Sequence, residues 1–323
     1  MKLLHELGGL HHEQAPLYIA AGFFDGVHRG HQRVINEALD RARAAGGTAW
    51  MLTLDPHPLK VLAPHAAPLL LTTLPHKLTL IERLGISGCI VLPFTKTVAD
   101  EDAEVFLREL AAALPRPAGL VVGANWTFGR AARGNVDLLR QLGPELGLDV
   151  RVVEPMAWSG APISSTRIRE QILRGHMEAA ACMLGHFFSV RGKVGRGKGY
   201  GRQLGFPTAN LAPQGEVLPP PGVYATYAEI DGVRYLGAAF RPDPKLQPEF
   251  GPAELLEVYF LDAHLDLYDR ELEVYLLAHL RPSSRFDSAE ALREQIVRDV
   301  AEVRRVTAGH LTPTGELKLP YCT

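Results

Sequence analysis

The spacing of apolar positions changes once along this chain. From Leu17 to Val153, short apolar runs alternate with stretches whose apolar residues return every three or four positions. Leu17 to Gly22, Thr48 to Leu54, Gly88 to Leu92, Gly119 to Gly123 and Leu148 to Val153 read as buried strands. Between them, Val34, Ile35, Ala38, Leu39, Ala42 and Ala45 build one helical face, and Pro75 to Leu84, Asp102 to Leu114 and Val136 to Leu146 read as further helices. Strands separated by helices need crossover connections. The pattern therefore predicts a doubly wound, Rossmann-like α/β domain around a mostly parallel sheet. In such sheets ligands sit beyond the carboxyl ends of the strands, which directs attention to the loops that follow them.

After about residue 186 the period shortens to two. Val223 to Ile230 and Val233 to Ala238 flank Asp231-Gly232, a tight-hairpin signal. Phe187 to Val194, Leu255 to Leu261 and Leu272 to Leu280 complete a set best read as a small antiparallel barrel. Ala291, Leu292, Ile296, Val297, Val300 and Val303 mark a closing amphipathic helix, and a helical connector spans Ile172 to Leu184. Two domains are expected, residues 1–183 and 184–323.

Composition narrows the class. The 323 residues are 46% hydrophobic and 22% charged, with a net charge of −2 and no basic cluster, which argues against nucleic acid as a partner. No apolar run approaches the roughly 20 residues that cross a bilayer, so no membrane partner is expected. The N-terminus lacks the apolar core of a secretory signal, and a cytoplasmic protein follows. The three cysteines, Cys89, Cys182 and Cys322, lack metal spacing and read as buried thiols of a reduced compartment. Nothing in the pattern sets an oligomeric state.

The most informative segment joins the first strand to the first helix: Gly22-Phe23-Phe24-Asp25-Gly26-Val27-His28-Arg29-Gly30-His31. A helix N-terminus presents unpaired N–H groups and partial positive charge to an anion, and Gly26 and Gly30 let the backbone come close. His28 and His31 can donate to oxygens whose charge grows during phosphoryl or nucleotidyl transfer. Two surface histidines beside a turn would be the ordinary reading of such a pair; the position after the first α/β strand favours chemistry. Ser164-Ser165-Thr166-Arg167 precedes a second helix pattern and reads either as simple N-capping or, with Arg167 as clamp, as another wall of a phosphate pocket. The loops Thr53 to Pro58, with Asp55 and Pro56, and Gly123 to Gly129, with Asn125, Trp126 and Phe128, carry groups suited to a flat heterocycle.

In the second half, Gly192-Lys193-Val194-Gly195-Arg196-Gly197-Lys198-Gly199 approaches a Walker A loop, but Gly199 stands where a Mg²⁺-binding Ser or Thr belongs, and no helix pattern follows. What remains is a basic, glycine-rich flap able to cover phosphates, with Gly197, Lys198 and Gly199 at its tip. Pro207-Thr208-Ala209-Asn210 follows; by itself it reads as a turn. Glu257, at period two with Leu255, Tyr259 and Leu261, is a carboxylate among bulky neighbours, where partial burial would raise its pKa and suit it to general-base work.

Together these motifs resemble the bacterial bifunctional riboflavin kinase/FAD synthetase family over nearly the whole chain. The resemblance implies an HxGH nucleotidyltransferase first domain. There His28 and His31 would contact ATP phosphates beside Gly22, Phe24 and Gly30, Ser164 to Arg167 would help hold ATP, and Asn125 would lie on the flavin side. In the second domain Thr208 and Asn210 would bind Mg²⁺ and ATP phosphates, and Glu257 would be the catalytic base. The implied reactions are phosphorylation of riboflavin by ATP to FMN, then transfer of AMP from ATP to FMN, giving FAD and pyrophosphate. The chain departs from the family at Phe23 (often Asn), Asn125 (often Asp), Arg241-Pro242-Asp243 (Arg-Pro-Thr), Tyr268-Asp269 (Tyr-Gly) and Ser283 or Ser284 (Glu). The departures around Ala238 to Pro252 leave one competing reading, an FMN adenylyltransferase whose degenerate kinase half only binds flavin or regulates. Other HxGH enzymes, such as class I aminoacyl-tRNA synthetases or pantetheine-phosphate transferases, have no place for the second half.

Overall fold

The computed structural model describes residues 1–115, 118–215, 217–246, 255–310, 317–320 and 322. The chain divides into two compact units, Met1–Ile163 and Ser164–Thr323.

In the first unit, strands β1 (Lys2–Leu4), β2 (Leu17–Ala21), β3 (Thr48–Asp55), β4 (Gly88–Pro93), β5 (Ala118–Gly123) and β6 (Leu148–Val153) form one sheet in the order β1-β4-β3-β2-β5-β6. Every pairing is parallel. Helices α1 (Arg29–Ala44), α2 (Leu74–Arg83), α3 (Ala103–Ala113) and α4 (Val136–Glu145) supply the crossovers. Strand β2 is buried at all five positions, as a central parallel strand must be. Its alternate residues feed two cores: Leu17 and Ile19 pack with Trp50 and Leu107, whereas Tyr18 and Ala20 pack with Ile35 and Met51. The chain runs outward from β2 through β3 to β4 and returns across β2 to β5. The topological switch therefore lies between β2 and β5, with the loops after both strands facing the crevice. Strand β1 was not expected; three residues with exposed or half-exposed side chains carry no periodic signal, and only the partner β4 makes them a strand.

The second unit opens with helices α5 (Ser165–Leu173) and α6 (Met177–Leu184). Strands β7 (Phe188–Gly195), β8 (Thr208–Pro213), β9 (Gly222–Ile230), β10 (Val233–Arg241), β11 (Leu256–Phe260) and β12 (Glu271–Pro282) then close into a barrel in the order β8-β11-β10-β9-β12-β7, and helix α7 (Ala289–Gly309) follows. Asp231 and Gly232 both take positive φ, +52° and +79°, as a two-residue hairpin turn requires.

Four expectations are corrected here. Thr208 to Asn210 is strand rather than turn, because both β7 and β11 offer it backbone partners that local sequence cannot show. A helical turn, Tyr200–Gln203, does follow the glycine-rich flap, but its four residues are too short for the helix of a P-loop. Cys182 and Cys322 are bonded as a disulfide with Cα atoms 5.3 Å apart, not separate thiols; 140 residues of intervening chain hid that proximity. Cys89 is a free, buried thiol, as expected. On α7, Val297 is 51% exposed, outside the packed face assigned to it, while Val303 is buried. No helix among the described residues is long and apolar enough to cross a membrane.

Helix α7 starts at Ser288, whose Oγ accepts from the Ala291 N–H at 3.1 Å. Ser288→Ala should destabilise the second unit by about 1 kcal/mol, read as a lower urea midpoint with an unchanged slope.

Candidate active sites

The first site is built on the turn between β2 and α1. Phe24 and Val27 hold φ of +58° and +43°, and Gly26 +78°. For a β-branched residue such a conformation is a true outlier and costs on the order of 1–3 kcal/mol. Buried hydrogen bonds hold the turn. The Asp25 carboxylate accepts from Leu71 N–H at 2.9 and 3.1 Å and from Thr72 N–H at 3.1 Å, and Thr72 Oγ1 accepts from Gly26 N–H at 3.1 Å. The Lys77 ammonium donates to the Phe23 carbonyl at 2.9 Å and to Thr53 Oγ1 at 3.0 Å.

The turn delivers His28 as the N-cap of α1. Its Nδ1 accepts from the His31 N–H at 3.3 Å, so in the neutral ring the proton sits on Nε2. The His28 and His31 rings stack with centroids 3.5 Å apart and planes at 16°. Gly30 suits this geometry, since a Cβ there would come within 3.1 Å of the His28 ring and the ring would have to give way. Burial, then the neighbouring His28, then the Lys77 charge hold the His31 pKa well below its ordinary value. The Nδ1 atom of His31 is buried with no hydrogen-bond partner in the described structure. Two imidazoles at a helix N-terminus, one with a polar atom unsatisfied, can serve anionic oxygens as donors.

The other strand-end loops of this unit are at hand. Asp55 and Pro56, joined by a cis peptide, are exposed after β3, and His57 packs edge-on against Phe23 at 4.4 Å. After β5, Asn125 is exposed and Trp126 half-buried, whereas Phe128 is only 9% exposed, stacked on Trp126 at 4.5 Å and packed against Phe106. Phe128 therefore supports the loop from beneath. Ser164 to Arg167 belong to the second unit, where Ser164 Oγ accepts from the Arg167 N–H at 3.2 Å and caps α5.

The second site is a matter of strand register. Thr208 and Asn210 share one face of β8, and Asn210 lies directly opposite Glu257 on β11. Thr208 Oγ1 donates to Glu257 Oε2 at 3.4 Å. On β11 the alternate residues Leu256, Val258 and Phe260 are buried in the barrel, leaving Glu257 and Tyr259 half-buried on the opposite face. Burial raises the Glu257 pKa, and the Thr208 hydrogen bond partly offsets it. The flap returns over these groups. A Cβ on Gly197 would fall 2.3 Å from the Asn210 amide and would push that amide aside.

Thr208 and Glu257 also line an apolar cavity with Phe206, Val223, Phe240, Leu292 and Ile296. The wall includes Arg281 and Asp299, a two-pronged ion pair at 2.8 and 2.7 Å. Sequence reading placed Leu292 and Ile296 on the packing face of a helix; apolar spacing alone does not distinguish a core from the wall of a ligand cavity. Of the departures near this site, Asp269 takes φ +63° and pairs with Lys193 at 2.9 Å. The left-handed backbone explains a family glycine there, and Asp tolerates it. Residues 247–252 of the divergent 238–252 stretch lie outside the described residues.

A family model described as FAD synthetase matches residues 10–167, and one described as riboflavin kinase matches residues 184–307. The bifunctional riboflavin kinase/FMN adenylyltransferase of Escherichia coli K12 is 33% identical, with 94% of this chain and 97% of that protein aligned. The chain belongs to this bifunctional family. Enzymes of the same description from Listeria monocytogenes and Pseudomonas fluorescens are each 32% identical, covering 88% and 95% of this chain and 91% and 98% of theirs. A solved structure described as a macrolide-efflux protein from Streptococcus pneumoniae is 27% identical and superposes with a TM-score of 0.80 over 94% of this chain and 98% of its own.

The lowered His31 pKa has a consequence for stability. In the unfolded chain His31 takes a proton near 6.5, whereas in the folded chain it stays neutral to well below that pH. Its contribution to stability is present above about pH 6.5 and is lost as pH falls below it, by at most about 1.4 kcal/mol per pH unit. His31→Phe should flatten this acid loss, measured as the urea midpoint of the first unit between pH 7.5 and 5.5.

Proposed function

We propose that the chain makes both flavin coenzymes: it phosphorylates riboflavin with ATP to give FMN, and adenylylates FMN with a second ATP to give FAD and pyrophosphate. The observation that carries this reading is that each half holds its own complete constellation, paired imidazoles at a helix N-terminus in one and a hydroxyl, an amide and a raised-pKa carboxylate in register in the other. On this reading residues 1–183 are the adenylyltransferase domain and 184–323 the kinase domain.

In adenylyl transfer, His28 and His31 donate to the ATP phosphates in the crevice beside Gly22, Phe24 and Gly30. The FMN phosphate displaces pyrophosphate at the α-phosphorus, and charge builds on the leaving oxygens that the imidazoles face. Asp55, Pro56, Asn125 and Trp126 bound the flavin side, and Ser164, Ser165, Thr166 and Arg167 contribute to ATP binding. In the kinase reaction, Glu257 takes the proton from the terminal hydroxyl of riboflavin as that oxygen attacks the γ-phosphorus. Its raised pKa makes it a better base than a solvated carboxylate. The apolar cavity beside it accepts the isoalloxazine ring, and Gly197, Lys198 and Gly199 close over the phosphates.

Thr208 and Asn210 would hold Mg²⁺. The described residues contain no cluster of three or more His, Cys, Asp or Glu side chains able to bind a metal. Mg²⁺ needs none, since it is commonly bound by one or two protein oxygens together with substrate phosphates. When bound, the ion neutralises phosphate charge during transfer. We place the enzyme in the cytoplasm.

Incubation with riboflavin and MgATP, followed by chromatography, should show FMN and then FAD. His28→Ala should abolish FAD formation while FMN still accumulates. Glu257→Gln should slow riboflavin phosphorylation by about 10²–10⁴-fold and leave FAD synthesis from supplied FMN intact. FAD from FMN but no FMN from riboflavin in the unmodified enzyme would establish the adenylyltransferase-only alternative. The acid limb of the kinase pH profile should lie above the usual carboxylate range, because activity is lost as Glu257 gains its proton.

A further inference from the structure

Lys77 lies on α2, outside the motifs that mark the adenylyltransferase site, and is 3% exposed. No other lysine or arginine among the described residues is buried. Its hydrogen-bond acceptors are neutral: the Phe23 carbonyl at 2.9 Å and Thr53 Oγ1 at 3.0 Å. The triangle closes through Thr53, whose hydroxyl donates to the same Phe23 carbonyl at 3.1 Å. The ammonium also stands 4.4 Å from the centre of the Phe23 ring.

Stability does not account for this group. A buried ammonium on neutral oxygens gives up its hydration for partners that compensate it incompletely, and an apolar side chain of the same length would avoid the cost. Its placement supplies the reason. The triangle joins the end of β3 to the carbonyl at the head of the strained turn, one residue before Phe24 at φ +58° and five before His28. The charge is also close enough to act on His31.

We propose that Lys77 is the positioning residue of adenylyl transfer: its buried ammonium, locked to Phe23 and Thr53, sets the turn that aims His28 and His31 and keeps the His31 ring beside a fixed positive charge without exposing that charge to solvent. This rests on the reading of the first unit as the FMN adenylyltransferase. The titratable groups that interact with the ammonium are His31 from α1, Asp25 from the turn, Asp55 from the end of β3 and Cys89 from β4. Burial lowers the Lys77 pKa to about 8, against the opposing pull of Cys89, Asp25 and Asp55. Cys89 is itself pushed up to about 12 and stays a thiol over the working range. The Lys77 charge is therefore present at neutral pH and lost as pH rises through about 8.

The test compares full-length Lys77→Met and Thr53→Val with the unmodified enzyme, following FMN and MgATP to FAD, with riboflavin phosphorylation by the same preparation as control. Lys77→Met should lower kcat for FAD formation by about 10²-fold, leave KM for FMN within threefold, and abolish the alkaline limb near pH 8. Thr53→Val removes an acceptor from the ammonium and so should move that limb to lower pH, with kcat lower by about tenfold. Kinase activity should be unchanged in both. The proposal is overturned if Lys77→Met makes FAD within threefold of the unmodified rate, or if it is slow but keeps its alkaline limb at the same pH, which is what a purely structural role gives. Should Lys77→Met fail to fold, Thr53→Val decides alone: an unmoved limb and rate refute the proposal. Absence of FAD formation in the unmodified enzyme would instead overturn the assignment of the first unit.

Discussion

One turn of backbone carries the first site, and it is held against its own preferences. Phe24 and Val27 occupy conformations that L-residues avoid, and two buried charges of opposite sign, Asp25 and Lys77, grip the turn from the segment 71–77 and from β3. Without that grip, relaxation of Val27 alone would rotate the entry to α1, and the cap, the ring stack and the unsatisfied Nδ1 of His31 would be lost together. Strain of this kind persists only where surrounding structure over-determines it, and such places cluster at sites of chemistry. Here the surroundings are a fully buried parallel strand on one side and a helix on the other.

The second site solves a similar problem by different means. In a closed barrel each strand is paired on both sides, so register is fixed for the whole circuit. Thr208, Asn210 and Glu257 need no strained backbone to meet; they need only that β8 and β11 pair in one register, since a slip of one residue would turn every side chain to the other face. The flap contributes Gly197, whose missing Cβ permits close approach to Asn210. A strand wall carries Glu257 and a glycine-rich loop lies against Asn210, and under the proposed kinase reading that division of labour would suit a reaction needing water excluded only while substrate is present.

Two of the differences from the family pattern fall on positions where the structure has a local account. Asp269 keeps the left-handed backbone of the glycine it replaces and gains an ion pair with Lys193. Ser284 accepts a hydrogen bond from Arg281, the residue that also holds Asp299 beside the cavity. Neither change disturbs the register that brings Glu257 to Thr208 and Asn210.

The order of helices and strands was legible from apolar spacing, because periods of 3.6 and 2 are imposed by local geometry. So were the pair His28 and His31, and the glycine at position 30, since a helix N-terminus is a local feature. The short strand β1, the strand character of Thr208 to Asn210 and the approach of Cys182 to Cys322 were not, for each depends on a partner distant in sequence. The cavity beside Glu257 and the role of Lys77 were hidden for the same reason. A lysine on a helix face reads as solvated until the packed sheet closes around it, and an isoleucine on α7 reads as core until the barrel wall stops short of it. Local chemistry along the chain determined which groups were available; only the tertiary structure decided which of them water could no longer reach.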